Sequence, residues 1–103
     1  MNVVLVTGAS RGIGRAIVAR FLREGSTVVA CARGAAGLAE LKAEFPEVDC
    51  FTCDMRDGAA VDALARDVQA RHGAIDLLVN NAGAYQPGQI ATEDDDALME
   101  MLQ

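Results

Sequence analysis

Residues 2–7, Asn-Val-Val-Leu-Val-Thr, run apolar almost without a break and pass straight into Gly8-Ala9-Ser10-Arg11-Gly12-Ile13-Gly14. From Gly12 to Glu24 the apolar spacing changes to a helical one. Ile13, Ile17 and Phe21, with Val18 and Leu22, form one stripe. A buried strand, a glycine turn and an amphipathic helix in that order are a context for binding an anion. The first N–H groups of a helix have no internal partner, and its dipole favours negative charge there. In this context Gly8 allows the tight turn, Gly12 lets a pyrophosphate approach the backbone, and Gly14 lets the helix pack near the strand. The spacing is G-x-x-x-G-x-G rather than G-x-G-x-x-G.

The same alternation continues. Gly25 closes the first helix, and residues 26–32 read as a second strand. A short helix over 35–44 carries Leu38 and Leu41 and ends before Pro46. A third strand covers about 48–53. Asp57 caps a third helix with Val61, Leu64 and Val68 on its inner face, and Gly73 follows its last turn. Residues 75–80 form a fourth strand. A loop with Gly83, Pro87 and Gly88 follows, then a helix from Thr92 to Gln103 in which Thr92 and Asp95 make a capping box. Strands that alternate with helices predict an α/β fold with a parallel sheet and right-handed crossovers. Continuous apolar strands fit a sheet covered on both faces.

At 103 residues this is a single domain, 1–103, and its 51% hydrophobic content suits a packed core. The apolar runs are too short to span a membrane, and Met1-Asn2 carries no basic region, so the expectation is a soluble, cytoplasmic protein without a membrane partner. The net charge is −6. Residues 54–103 carry three basic and ten acidic groups, including the run Glu93-Asp94-Asp95-Asp96, which argues against nucleic acid as a partner. That run reads as a solvated helix start. Cys50 and Cys53 have C-x-x-C spacing, but positions three apart in a strand point to opposite faces, so no metal site is read there. Three thiols suit a reducing compartment.

A dinucleotide fold usually ends its second strand on an acid that bonds the ribose 2′-hydroxyl. Here that stretch reads Ala30-Cys31-Ala32-Arg33. An acid would repel a 2′-phosphate, whereas a guanidinium pairs with it. Arg33, with Arg11 on the other side, favours NADP(H) over NAD(H).

Two further segments complete a pattern. Asp54 ends the third strand in Cys53-Asp54-Met55, and Asn80-Asn81-Ala82-Gly83 ends the fourth. Together with Thr7-Gly8-x-x-x-Gly12-x-Gly14, these resemble the N-terminal half of short-chain dehydrogenases/reductases across essentially the whole chain. The resemblance implies a Rossmann-like, doubly wound parallel sheet of four strands in the order 3-2-1-4, an incomplete form of that fold. It implies cofactor contacts from Ser10, Arg11 and the backbone of Ile13. Asp54 would bond the adenine amino group, with the Met55 backbone beside it. Asn81, Ala82 and Gly83 would line the adenosine and ribose side, Asn80 would help lock the sheet, and Arg33 would select NADP.

The family's catalytic serine and its tyrosine with a lysine four residues on have no counterpart here. Tyr85 is the only tyrosine, followed four places later by Gln89, and Lys42 is the only lysine. The expectation is therefore a chain that stops in the helix after the fourth strand and is inactive alone. The complete enzyme would be an NADP-dependent oxidoreductase on a small carbonyl or alcohol substrate, and a homo-oligomer. Strand 75–80 would be an uncovered apolar edge. The alternative is a non-catalytic NADP-binding or interaction module acting as a short protein; a truncated product without function stands as a third reading.

Overall fold

The computed structural model describes residues 2–10 and 12–81. Within them the chain alternates β1 (Val3–Thr7), α1 (Gly12–Arg23), β2 (Thr27–Ala32), α2 (Ala35–Glu44), β3 (Asp49–Thr52), α3 (Gly58–His72) and β4 (Leu77–Val79). The strands form one parallel sheet in the order β3-β2-β1-β4. The expected order is therefore observed. The loop after Gly83, the helix from Thr92, its capping box, the acidic run and Tyr85 lie outside the described residues.

The sheet has a helical layer on each face, and the side-chain period of two separates them. Val4 and Val6 of β1 join Val28, Ala30, Val18, Leu38 and Leu41 in one core, beneath α1 and α2. Leu5 faces the other way and joins Val29, Cys31, Cys53, Val61, Leu64 and Val68, beneath α3. This layering follows from handedness. The chain steps from β1 to β2 to β3 in one direction, then returns past β1 to β4. A right-handed crossover in the reverse direction must pass over the opposite face. The reversal leaves a crevice between the carboxyl ends of β1 and β4, where ligands bind in folds of this kind.

The continuous apolar runs of β1 and β2 are buried on both faces. The outer strands β3 and β4 are only partly buried, and Leu77 is 41% exposed. Each is shorter than its apolar run. Residues 75–80 contribute only Leu77–Val79 to the ladder, although Ile75 is still buried in the core. Asp76 leaves the ladder because it performs a different task. Its carboxylate accepts the Val3 N–H at 2.8 Å, and its own N–H donates to the Val3 carbonyl at 2.9 Å.

One member of the expected α1 stripe is misplaced. Val18 is buried and Ile17, Phe21 and Leu22 pack against the core, but Ile13 is 72% exposed. It sits in the first turn of α1, where Gly14 rather than Ile13 faces the sheet. Periodicity gives the angle of a residue around the helix axis but not whether anything lies opposite it.

The local signals are otherwise followed. The Asp57 carboxylate accepts the N–H groups of Ala59 and Ala60 at 3.1 and 3.4 Å, capping α3. Cys50 packs in the α1/α2 core and Cys53 in the α3 core, on opposite faces of the sheet. Lys42 donates to the Val48 carbonyl at 2.5 Å, which ties the end of α2 to the strand that follows. At the far end of the sheet, Asp49 accepts from Arg71 at 2.9 Å and contacts His72 Nε2 at 2.8 Å. No described helix is long and apolar enough to cross a membrane.

Candidate functional site

The carboxyl edge of β1 continues into the glycine turn. Gly8 and Gly12 have φ of 60° and 61°, a region that side chains rarely adopt, so both positions favour glycine. A Cβ on Gly12 would meet nothing within 4 Å among the described residues, so this backbone borders open space there. Gly14 is the opposite case. A Cβ there would stand 2.1 Å from the Gly8 carbonyl oxygen and 2.8 Å from Asn81 Nδ2. Only a bare backbone lets α1 start this close to the end of β1. The first turn of α1 holds no acidic residue that would fill or repel an anion site.

The two strands flanking the crevice are tied at this level by Thr7, which is fully buried. Its hydroxyl accepts the Asn81 backbone N–H at 2.8 Å and donates to Asn80 Oδ1 at 2.9 Å. Asn81 Nδ2 donates to the Gly8 carbonyl at 3.4 Å. The end of β4 is thereby fixed to the glycine turn.

A second group of side chains gathers beyond β2 and β3. The Cys53 N–H donates to the Ala32 carbonyl at 2.9 Å, so Arg33 and Asp54 leave adjacent strands side by side. No acid stands at the end of β2. The Asp54 carboxyl is held well below its ordinary value, at about 2, first by hydrogen bonds from the Arg56 side chain and backbone and then by the charges of Arg56 and Arg33. Met55 turns inward, with its sulfur 3.8 Å from Cys31 Sγ. Burial, followed by the nearby Cys53, pushes the Cys31 thiol up to about 12. Cys31 is thus packing material rather than a nucleophile.

Ser10 packs the glycine turn against α2. A Cβ on Gly37, in α2, would lie 2.9 Å from Ser10 Cβ and 3.0 Å from Ser10 Oγ. The start of α2 therefore rests directly on the glycine turn.

Of the residues expected at the site, Gly8, Ser10, Gly12, Ile13 and Gly14 occupy the turn and the first turn of α1, at the carboxyl end of β1. Asn81 is bonded to that turn, and Arg33, Asp54 and Met55 follow the ends of β2 and β3. All these positions lie on one edge of the sheet. Arg11, Ala82 and Gly83 lie outside the described residues. Gly37 and Arg56 are not among the expected residues, and Thr7 is expected only as part of the glycine motif. A signal existed for Gly37, since a glycine inside a helix costs stability and points to a packing reason. For Arg56 the signal was its place two residues after an aspartate, where side chain and backbone meet in a turn.

Residues present at this edge fit an extended anionic dinucleotide. They offer open glycine backbone at a helix start, cationic side chains beyond it, and a carboxylate acceptor next to them.

A family model described as short chain dehydrogenase matches residues 2–103. A 3beta-hydroxysteroid dehydrogenase of Mediterraneibacter gnavus is 40% identical over 101 residues, which cover 92% of this chain and 37% of that protein. Among solved structures, an actinorhodin polyketide ketoreductase variant with NADPH superposes with a TM-score of 0.76 at 40% identity, covering 97% of this chain and 40% of that one. A citronellol catabolism dehydrogenase of Pseudomonas aeruginosa gives a TM-score of 0.81 at 28% identity, covering 98% and 48%. The chain thus spans less than half the length of each of these relatives.

Proposed function

Because the chain belongs to the short-chain dehydrogenase family, we propose that its residues form the NADP(H)-holding part of an oxidoreductase acting on a small carbonyl or alcohol substrate. The observation that carries this reading is the glycine turn. Gly14 brings α1 into backbone contact with the end of β1, and Gly12 leaves open space beside the helix start.

In this reading Gly8, Gly12 and Gly14 admit the pyrophosphate, with Ser10, Arg11 and the Ile13 backbone around it. Arg33 and Arg11 pair with the 2′-phosphate. Asp54 accepts a hydrogen bond from the adenine amino group beside the Met55 backbone. Asn81, Ala82 and Gly83 border the ribose. The bound cofactor would supply the hydride chemistry; the chain supplies orientation and electrostatics. Thr7 keeps Asn81 and the glycine turn in fixed relation, so the two walls of the crevice hold one spacing. No residue among the 103 is assigned the proton transfer to the substrate oxygen.

The NADP preference is supported by Arg33 standing where an acid would favour NAD, and by the NADPH in the actinorhodin ketoreductase structure. We further propose that the functional protein is a homo-oligomer in the cytoplasm. The test is calorimetric titration of the chain with NADP+ and NAD+. NADP+ is expected to bind at least about ten-fold more tightly, the effect of one charge-assisted phosphate contact. Equal affinities would remove the 2′-phosphate assignment, and no binding of either would remove the reading.

A further inference from the structure

The proposed binding mode leaves one cation at the adenosine end without a task. Arg56 lies between β3 and α3 and grips Asp54. Its Nε donates to Oδ1 at 3.1 Å and its Nη2 to Oδ2 at 3.1 Å. Its backbone N–H also donates to Oδ1, at 3.0 Å. The backbone bond fixes where the carboxylate stands, and the fork fixes the plane in which it lies.

A carboxylate offers about four acceptor directions, two on each oxygen. Among the described residues, Oδ1 receives two donors and Oδ2 receives one. One direction remains, on Oδ2. Both side chains are substantially exposed, at 67% for Arg56 and 40% for Asp54, and exposed pairs of this kind add little to stability. What a two-pronged grip does provide is a defined orientation.

We propose that Arg56 is a positioning residue for purine recognition: it holds the Asp54 carboxylate so that a single acceptor on Oδ2 faces the exocyclic amino group of adenine. This rests on the reading of Asp54 as the adenine contact. The chemistry sets a sharp choice. An amino group presents an N–H donor to Oδ2. A purine with an oxo group at that carbon presents lone pairs instead, and a carboxylate that cannot turn away meets them unpaired. A carboxylate free to rotate can turn toward water and tolerates the oxo purine better. The grip therefore converts a flexible acidic side chain into a discriminating one. Its ionisation supports the same role, since the Arg56 bonds and the Arg33 charge keep the carboxyl from taking up a proton and becoming a donor.

The test compares NADP+ with its 6-oxo analogue, nicotinamide hypoxanthine dinucleotide phosphate, by calorimetric titration of the full chain. The wild type is expected to favour NADP+ by about ten-fold or more. Arg56→Gln removes charge and fork together, and Arg56→Lys keeps the charge without the fork. Both are expected to reduce the ratio to roughly two- to three-fold, with the melting temperature unchanged. A general loss of positive potential would weaken both ligands alike and leave the ratio where it was, so the ratio isolates orientation from charge. Ratios equal to wild type in both variants overturn the Arg56 role. Asp54→Asn separates the two levels: if it leaves the wild-type ratio intact, the adenine assignment of Asp54 fails, and the Arg56 role with it. If the wild type binds neither dinucleotide, the proposed function itself falls.

Discussion

The buried Thr7 hydroxyl accepts the backbone N–H of Asn81 at 2.8 Å, joining the end of β1 to the end of β4 across the crevice. The same hydroxyl donates to Asn80 Oδ1 at 2.9 Å. Thr7→Val keeps the shape and removes both bonds, leaving the Asn81 N–H and Asn80 Oδ1, both at the end of β4, without this partner. The expected loss is about 1–3 kcal/mol in chemical denaturation, with weaker dinucleotide binding. Thr7→Ser keeps the hydroxyl and should recover most of the binding. If valine costs nothing, the bond does not hold the crevice together.

Gly14 is the contact point of α1 with the glycine turn. A methyl there would overlap the Gly8 carbonyl oxygen at 2.1 Å, a backbone atom that cannot swing aside. Gly14→Ala should therefore displace the helix start, cost about 1–3 kcal/mol or more, and abolish nucleotide binding. Gly12→Ala is a useful contrast, since its Cβ would meet nothing and the cost would come from its φ of 61° alone. Thermal melts of the two variants should differ, with Gly14→Ala the lower. The opposite ranking would mean that backbone conformation, not close packing, dominates this turn.

Gly37 and Ser10 give a compensation test. Ser10 Cβ is the atom closest to a Cβ built on Gly37, at 2.9 Å. Gly37→Ala should push α2 and the turn apart by a few tenths of an ångström and weaken NADP+ binding. Adding Ser10→Gly removes the obstructing atom. A double-mutant cycle is expected to show favourable coupling of about 0.5–1 kcal/mol in stability. Strictly additive effects would mean that the two positions do not press on each other.

These residues also mark where sequence reasoning stops. β1 and β2 were legible because burial on both faces leaves an uninterrupted apolar run, and the Asp57 cap was legible because its partners lie two and three residues away. The ladder ends of β4 were not, because Asp76 gives its polar groups to Val3, a residue 73 positions distant. Ile13 shares the apolar stripe of α1 yet is exposed, because helical phase says nothing about where the sheet ends. At the site, the glycine turn, Arg33 and Asp54 could be singled out from residue type and position. The contacts of Thr7 with Asn81 and of Gly37 with Ser10 join different elements, so only the folded chain brings them together.

The buried Cys31 thiol predicts an alkaline limit to stability. Burial is the main cause of its rise from 9.0 to about 12, with Cys53 second. A raised value means that the folded state holds the proton after the unfolded chain has released it. This stability contribution is therefore complete below pH 9 and declines as pH rises from 9 toward 12. At pH 10 the expected loss is roughly 1 kcal/mol relative to neutral pH. Urea midpoints under reducing conditions, compared between wild type and Cys31→Ala, check this. The variant should lack that part of the alkaline decline; identical slopes would assign the decline to other groups.

The proposed preference for NADP rests on Arg33, and a single substitution should reverse it. Arg33 is exposed and stands beside Asp54, because the Cys53 N–H to Ala32 carbonyl bond aligns the ends of β2 and β3. Replacing it affects the two dinucleotides differently. A 2′-phosphate loses a charge-assisted partner worth roughly 2 kcal/mol, which is about 30-fold in affinity. A carboxylate at the same place adds repulsion toward the phosphate but can accept the ribose 2′-hydroxyl of NAD. Arg33→Asp is thus expected to lower NADP+ affinity by at least about 30-fold while raising that for NAD+. Arg33→Ala separates the two effects, since it removes the phosphate partner without adding an acceptor. It should lower NADP+ affinity and leave NAD+ unchanged. The aspartate variant carries one complication that calorimetry at several salt concentrations resolves. Its new carboxylate would face Asp54, and the repulsion between them is screened as salt rises. A gain in NAD+ binding that persists in high salt comes from the ribose contact, whereas unchanged selectivity in both variants would remove Arg33 from the site.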